Sequence, residues 1–268
     1  MVEQTNPDTM SSKQSLSREG YLSPFSDTRV MLAFALAALC ALVFFNRFPQ
    51  IDIWVSQLFF APADCPPEQA GAVCGNFPAA LDPILVAIRD VLHYTPVVIG
   101  IALIGAALAA AQSSEPRLRM FAKGAWTAIA TLLLSGLLLV NVVLKEVSGR
   151  PRPVDTDLFG GDFPFVEAGR FVDYCQTNCS FVSGEAATAM WLVCLVALVP
   201  PGFRRIALAI TLPVAVLAIG LRIAFGGHYL SDTVIAALLT MTVFAALATI
   251  GRRAGWYETR ARPGRKSN

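Results

Sequence analysis

Residues 124–153, GAWTAIATLLLSGLLLVNVVLKEVSGRPRP, join a long apolar run to a short segment with three cations. The run from 124 to 144 carries no charged side chain, and about 20 apolar residues can cross a hydrocarbon layer of roughly 30 Å as a helix. The complete chain is 55% hydrophobic and only 15% charged, which excludes an ordinary water-soluble domain. The sequence therefore predicts an all-α, polytopic membrane protein.

Six segments are apolar enough to be transmembrane helices, although the first and the fourth are short. They are residues 30–45, 91–111, 124–144, 186–200, 206–225 and 229–250. Residues 29–250 are therefore predicted to form one six-helix domain. Residues 1–28 are polar and of mixed charge, which indicates a disordered tail, and no cleaved signal peptide is expected there. The basic segment 251–268 favours attraction to anionic lipids over nucleic-acid binding.

The lysines and arginines predict the orientation of the chain. Most of the 21 lie in segments that are cytoplasmic if both termini are cytoplasmic, as the positive-inside rule requires. The exceptions are Arg47, Arg89, Lys145, Arg150, Arg152, Arg170 and Arg222. Several of them lie in or beside short motifs on the predicted outer face. Departures from a general rule are most often found at functional sites, so we expect a site there.

The cysteines give an independent indication of sidedness. Four of the six lie in the two predicted outer loops: Cys65, Cys74, Cys175 and Cys179. Disulfides persist in oxidising compartments such as a periplasm, so the favoured pairs are Cys65 with Cys74 and Cys175 with Cys179. Four free thiols are the alternative. Zinc binding is disfavoured because no neighbouring histidine completes a ligand set.

Residues 51–60, IDIWVSQLFF, are apolar but too short to cross a membrane. Two interpretations fit this segment equally well. It is either an interfacial helix along the outer surface, with Trp54 at headgroup depth, or a buried connector.

Three motifs reach the predicted outer face, and their residue types suit the binding of phosphate. They are Lys145 and Arg152 in a K-x6-R-P pattern, Ser183 and Gly184 at the fourth span, and Arg222, His228 and Asp232 between the fifth and sixth. Arginine pairs with two phosphate oxygens at once, and lysine supplies a point charge. A glycine next to a serine at a helix start lets backbone N–H groups approach an anion closely. Together the motifs predict one anion site.

His228 is the predicted nucleophile of this site. A neutral imidazole can attack phosphorus, and Asp232, four residues later, would share a helix face with it. The carboxylate would then fix the tautomer and stabilise the cation that forms. Gly226 and Gly227 would free the backbone just before the histidine.

The combined pattern K-x6-R-P, S-G and R-x5-H-x3-D resembles the type 2 phosphatidic acid phosphatase (PAP2) family, which shares its site with the vanadium haloperoxidases. The resemblance covers residues 145–232 by motif and about 30–250 by the six-span layout. It implies a phosphohistidine on His228 with Asp232 as its partner, and no metal or other cofactor. The phosphate-binding residues that it implies are Lys145, Arg152, Ser183, Gly184 and Arg222.

The middle motif departs from this family pattern. Where the family reads P-S-G-H, the chain has Val182-Ser183-Gly184-Glu185, and the family's histidine protonates the leaving oxygen. Glu185 is predicted to take over this general-acid role, with a pKa raised by the phosphate and by partial desolvation. One alternative is a glutamate that only complements the helix dipole, and another is a lipid-binding relative without activity. The serine that usually precedes the third-motif arginine is replaced by Leu221.

The sequence thus predicts a metal-independent phosphatase that hydrolyses a lipid-linked phosphate monoester or pyrophosphate at the periplasmic face of a bacterial inner membrane. By resemblance, the middle-motif glutamate and the cysteine-containing outer loop favour lipid A as the substrate. Undecaprenyl pyrophosphate and phosphatidylglycerol phosphate are the alternatives. The alternatives of another class are a non-catalytic protein that binds a lipid phosphate and a haloperoxidase, which is expected in a soluble chain. No nucleic-acid partner is expected, and the oligomeric state is not predicted.

Other polar residues receive simpler interpretations. Arg150 is predicted to be a solvated loop cation, with a second phosphate contact as the alternative. Asp155, Asp157 and Asp162 are irregularly spaced, so they are predicted to be solvated rather than to bind a metal. His93 is the only other histidine and is predicted to be a headgroup-level side chain.

Overall fold

The computed structural model describes residues 22–69 and 71–257, and its main elements are α-helices. These are α1 (Thr28–Arg47), α2 (Gln50–Gln57), α3 (Pro83–Gln112), α4 (Pro116–Thr131), α5 (Gly184–Cys194), α6 (Arg204–Ala224) and α7 (Leu230–Arg253). The helix α4 continues through π-helical residues Leu132–Leu144 and a last α-helical turn, Lys145–Val147. Short 3-10 helices are Pro67–Gln69, Pro78–Ala80, Pro153–Asp155, Asp157–Phe159, Leu195–Leu198 and Pro201–Phe203.

Five helices in the described part of the chain are long and apolar enough to cross a membrane. They are Thr28–Arg47, Pro83–Gln112, Pro116–Val140, Pro201–Ala224 and Leu230–Arg253. The fourth predicted span corresponds to a shorter apolar helix, Gly184–Leu198. The predicted all-α, polytopic membrane fold is therefore confirmed, whereas the count of six spans and the orientation stay predictions.

The short helix α5 lies at the centre of the bundle. It packs against α3, α4, α6 and α7, and nearly all of its side chains are buried. Ala186, Ala187 and Ala189 let these neighbours approach closely, while Trp191 fills the space beside α4 and donates a hydrogen bond of 2.7 Å to the Ala128 carbonyl. Because α5 is enclosed by protein, its first turn is held firmly at the site described below.

The turn that precedes α1 is packed rather than disordered. Leu22 is fully buried, and the ring of Phe25 lies 5.2 Å from that of Phe244. Arg204 donates a hydrogen bond of 2.9 Å to the Ser23 carbonyl oxygen. The predicted tail is therefore wrong for residues 22–27. Residues 1–21 and 258–268, which hold the rest of the two predicted tails, lie outside the described residues.

Two loops carry the disulfides, one between α2 and α3 and the other before α5. The first contains the antiparallel strands β1 (Ala61–Ala63) and β2 (Cys74–Asn76), which the disulfide Cys65–Cys74 closes. The second contains the disulfide Cys175–Cys179. Both predicted pairs are thus confirmed.

The segment 51–60 combines features of both interpretations. Residues Gln50–Gln57 form helix α2, and its polar residues Asp52 and Ser56 are fully buried against the bundle. On the opposite face Trp54 is 60% exposed. The helix is therefore anchored to the protein by one side and turns its indole outward.

Candidate active site

A cavity of about 690 Å³ opens where the ends of α3, α4, α5 and α6 meet. Its polar lining consists of Arg89, His93, Lys145, Arg152, Asn178, Gly184, Glu185, Thr188, Arg222 and His228. Its apolar lining consists of Pro96, Val97, Leu132, Leu133, Gly136 and Leu137. The structure thus brings residues of all three predicted motifs together around one space.

Two of the predicted phosphate ligands are held by one loop residue. Lys145 donates from Nζ to Oδ1 of Asn178 at 3.2 Å, and Arg152 donates from Nη2 to the Asn178 carbonyl oxygen at 2.9 Å. Burial, together with the nearby charges of Arg152 and Arg222, lowers the pKa of Lys145 to about 8. Like charges brought this close repel one another, and an anion between them would relieve the repulsion.

Arg222 is a third cation of the cavity that a bound anion would stabilise. The residue is only 9% exposed, and its buried Nε has no hydrogen-bond partner among the described residues. A buried N–H group without an acceptor costs about 1–3 kcal/mol, which an anion in the cavity would recover. Gly227 makes room for the guanidinium, since a Cβ there would lie 2.8 Å from Arg222 Nη2. The sequence predicts backbone freedom at Gly227, and the structure adds that the missing side chain leaves space for the Arg222 guanidinium.

The geometry of His228 fits a neutral nucleophile. The residue is 1% exposed, and its Nδ1 lies 2.7 Å from the Ser180 carbonyl oxygen. A carbonyl only accepts hydrogen bonds, so Nδ1 carries the proton and Nε2 keeps its lone pair. Burial lowers the pKa of His228 to about 4, so the ring is neutral at neutral pH.

Asp232 supports this ring differently from the prediction. Its Oδ2 lies 3.8 Å from His228 Nδ1, which is too far for a hydrogen bond. Oδ2 instead accepts from Ser180 Oγ at 2.6 Å and from the Tyr229 backbone N–H at 2.9 Å. The Ser180 carbonyl therefore fixes the tautomer, and Asp232 is a positioning residue that also places a negative charge near the imidazole.

Arg150 is neither a solvated cation nor a cavity residue, so both interpretations of it are wrong. It is fully buried and donates from Nη1 to Asp232 Oδ1 at 2.6 Å and to Ser231 Oγ at 2.8 Å. From Nη2 it donates to Asp52 Oδ2 at 2.9 Å. Its guanidinium also lies over the ring of Tyr229, 4.3 Å from the centroid. Arg150 thus ties α2 to the residues behind the nucleophile.

The two middle-motif residues have separate roles. Ser183 is fully buried and caps α5, because its Oγ accepts a hydrogen bond of 3.3 Å from the Ala186 backbone N–H. Its own N–H donates to the Asp232 carbonyl oxygen at 3.2 Å. Gly184 lines the cavity, whereas Ser183 does not. The prediction that Ser183 binds phosphate therefore needs correction to a capping role.

Glu185 does not fit the predicted general-acid role. Its carboxyl group accepts hydrogen bonds from Arg89 through both oxygens, including one of 3.2 Å from Nε to Oε2. Oε1 also lies 3.6 Å from Arg222 Nε and 3.4 Å from His93 Nδ1. These partners stabilise the carboxylate, which has no proton to give to a leaving group.

Helix α3 supplies two cavity residues that the motifs did not include, Arg89 and His93. The prediction of His93 as a headgroup-level side chain did not include this place in the cavity lining. A signal for both was present in the sequence. Residues four apart share a helix face, and ionisable residues within an apolar span are usually functional.

The acidic residues of the loop before α5 lie apart from this site. Asp155, Asp157 and Asp162 are exposed, as predicted. Within residues 22–69 and 71–257, the structure contains no group of three or more His, Cys, Asp or Glu side chains that could hold a metal ion.

Comparison with known proteins identifies the family of the chain. Residues 124–256 match the PAP2 superfamily, and this range includes all three motifs. A lipid A 4'-phosphatase of Rhizobium leguminosarum is 44% identical over 215 residues, which cover 78% of this chain and 91% of that protein. The chain belongs to the PAP2 superfamily.

Two further relatives carry the same name. A lipid A 4'-phosphatase of Rhizobium etli is 41% identical over 215 residues, or 78% of this chain and 82% of the relative. One of Francisella tularensis subsp. novicida is 39% identical over 98 residues, or 36% and 44%. No solved structure matches the chain. Arg89 and His93 lie outside the range that matches the PAP2 superfamily.

Proposed function

We propose that the protein is a lipid A 4'-phosphatase that acts at the periplasmic face of a bacterial inner membrane. Its membership of the PAP2 superfamily and its similarity to the two Rhizobium proteins make it a phosphoric ester hydrolase that acts on a lipid phosphate. The choice of lipid A rests on the names of these relatives.

The observation that carries the proposal is the division of the cavity into two parts. One part contains His228 with Lys145, Arg152 and Arg222, and it suits a phosphate group. The other part is apolar and runs between α3 and the π-helical continuation of α4. Both of these helices contain candidate membrane spans, so a lipid can place its phosphate near the histidine while its acyl chains stay in the bilayer.

The first chemical step is attack on phosphorus by the lone pair of His228 Nε2. A P–N bond forms, the P–O bond to the lipid breaks, and the electron pair stays on the leaving oxygen, which gains a proton. Lys145, Arg152 and Arg222 stabilise the charge of the transferring phosphoryl group. Nδ1 keeps its proton and its hydrogen bond to Ser180 throughout this step.

The second step returns the enzyme to its starting state. A water molecule attacks the phosphorus, the P–N bond breaks, and the electron pair returns to Nε2. Inorganic phosphate then leaves the cationic end of the cavity. No metal ion takes part in this scheme, so a chelator should leave the rate unchanged.

We also propose that α5 is a sixth span and that both termini are cytoplasmic. The two disulfides support this orientation, because disulfides persist on the oxidising side of a membrane. The turn between α3 and α4 would then face the cytoplasm. A cysteine in place of Ser113 should resist a membrane-impermeant maleimide in intact cells, and rapid labelling would contradict the orientation.

The substrate is tested with purified protein in detergent and three lipids: lipid A with both phosphates, undecaprenyl pyrophosphate and phosphatidylglycerol phosphate. We expect the largest release of inorganic phosphate from lipid A, with mass spectrometry locating the loss at the 4' position. His228→Ala should release none while it still binds the lipid. A preference for either other lipid would overturn the choice of lipid A, and binding without release from any lipid would indicate a non-catalytic protein.

A further inference from the structure

The proposed reaction needs a proton donor that Glu185 does not provide. Breaking the P–O bond leaves an electron pair on an alkoxide oxygen, and general acids that protonate such groups contribute about 10²–10⁴-fold in rate. Arginine does not release its proton in proteins. The Glu185 carboxylate is occupied by hydrogen bonds from Arg89. Lys145 is directed towards Asn178 and supplies charge to the phosphate end.

His93 is the remaining cavity group that can donate a proton to a leaving oxygen, since an imidazole ring nitrogen carries an N–H. The chain has two histidines, and both line this cavity. The side chain of His93 is 43% exposed, so one edge of the ring is open to an incoming molecule. It extends from α3 at the boundary between the polar lining and the apolar residues Pro96 and Val97. A lipid that enters along the apolar part would place its ester oxygen near this boundary.

The Glu185 carboxylate lies beside this imidazole. Its Oε1 lies 3.4 Å from His93 Nδ1, while Arg89 fixes the same carboxylate from the other side. A carboxylate at one ring nitrogen stabilises the protonated ring and leaves Nε2 to point elsewhere. The cavity therefore contains two imidazoles, each with a carboxylate near its Nδ1: His228 with Asp232, and His93 with Glu185.

We propose that His93 is the general acid of the reaction and that Glu185 is its positioning residue. This inference rests on the proposed function. His93 gives its Nε2 proton to the leaving oxygen as the P–O bond breaks. In the second step it takes a proton from the attacking water as His228 is released, so it ends the cycle protonated. The charge of Glu185 supports the imidazolium at the beginning and end of the cycle.

The experiment compares two leaving groups in His93→Gln. Hexadecyl phosphate expels an alkoxide that needs a proton, whereas 4-nitrophenyl phosphate expels a phenolate that does not. Rapid-mixing measurements of His228 phosphorylation should show at least a hundredfold loss with hexadecyl phosphate. With 4-nitrophenyl phosphate, a burst of one nitrophenolate per protein should persist within threefold of the wild-type rate, followed by slow turnover.

Two control variants and a comparison of substrates on the wild type complete the experiment. Tyr94→Phe keeps the neighbouring ring, which lies 5.0 Å from His93, and should behave as the wild type with both esters. His228→Ala should give no burst with either. Equal losses on both esters in His93→Gln would indicate a merely structural role, and an undiminished rate with hexadecyl phosphate would also overturn the proposal. A wild type that hydrolyses hexadecyl phosphate but no lipid A would overturn only the choice of lipid, whereas one that hydrolyses neither ester would overturn both proposals.

Discussion

At the scale of single residues, Lys145 is the proposed phosphate ligand whose charge changes near physiological pH. Its pKa is lowered to about 8 by burial and by the charges of Arg152 and Arg222. The side chain is therefore cationic below this pH and loses its charge as the pH rises through it. We expect kcat/KM to fall on this alkaline limb, because the neutral amine binds phosphate more weakly.

The variant Lys145→Arg tests this assignment, because arginine keeps its proton over the whole measurable range. The component of its alkaline limb that titrates near pH 8 should disappear, even if the longer side chain raises KM at every pH, and a limb that remains would belong to the proposed general acid. Profiles of kcat/KM between pH 6 and 10 provide the measurement. An unchanged limb in the variant would assign the titration to another group.

Glu185→Gln tests the positioning role of Glu185. The amide cannot stabilise a protonated His93 as the carboxylate does, so we expect kcat to fall at least tenfold while the lipid still binds. Glu167→Gln is a matched control, since within residues 22–69 and 71–257 Glu167 forms an ion pair with exposed Arg170 and with no other residue. Steady-state phosphate release and lipid-binding assays measure the two effects. A wild-type kcat in Glu185→Gln would leave only the favourable interaction with the helix dipole.

Much of the site could be predicted from residue types and spacing. Clustered cations and a histidine at helix ends indicate anion chemistry. This pattern predicts Lys145, Arg152, Arg222 and His228 as members of one site. The prediction of Arg150 as a solvated cation is wrong because its burial depends on Asp52, a residue 98 positions away. A pairing across such a distance leaves no local pattern in the sequence.

At the scale of elements, helix α2 contributes one residue to the hydrogen-bond network beside His228. Asp52 is fully buried and accepts hydrogen bonds from Arg150 Nη2 and from Ser231, at 2.8 Å from its backbone N–H. We expect Asp52→Asn to destabilise the protein by about 3 kcal/mol, since removal of one partner leaves a buried charge poorly compensated. Thermal unfolding in detergent measures this loss.

The control for Asp52→Asn is Asp64→Asn, which removes an exposed carboxylate from the neighbouring outer loop. It should change neither the unfolding temperature nor the rate of phosphate release. Equal stability of the two variants would mean that the buried pair of Asp52 and Arg150 contributes nothing to the fold.

The turn between α6 and α7 sets the position of Arg222. A Cβ at residue 227 would meet the end of the Arg222 side chain, which is flexible and can shift at little cost in stability. Gly227→Ala should therefore raise KM about tenfold with little change in unfolding temperature. Gly220→Ala is the matched control, because a Cβ in that part of α6 meets nothing within 4 Å. A KM that stays at the wild-type value in Gly227→Ala would show that the guanidinium does not need this space.

The ends of the helices were harder to predict than their existence. Helix α3 begins at Pro83, eight residues before the predicted span at 91. Its first turns carry Arg89, Asp90 and His93, which lower the local hydropathy. Two of these polar residues face the cavity instead of lipid, so a rule based on apolar length alone begins the span too late.

At the scale of the whole molecule, the loop before α5 links disulfide formation to the site. Asn178 lies within the loop closed by Cys175–Cys179 and holds both Lys145 and Arg152. We expect the double variant Cys175→Ser, Cys179→Ser to raise KM several-fold while the helical content stays unchanged. Cys40→Ser removes an exposed free thiol and serves as the control. Kinetics and circular dichroism give the two readouts, and an unaltered KM would show that the bridge is dispensable for Asn178.

The burial of Arg150 between Asp52 and Asp232 also limits how this chemistry can be moved to another protein. A chimaera that received only the three motif segments would contain Arg150 and Asp232 but not Asp52. One of the two carboxylates that neutralise the Arg150 guanidinium would then be missing. Such a chimaera should misfold or lose the orientation of His228, even with all three motifs copied unchanged. Helix α2, which carries Asp52, has to be transplanted with them as a fourth segment.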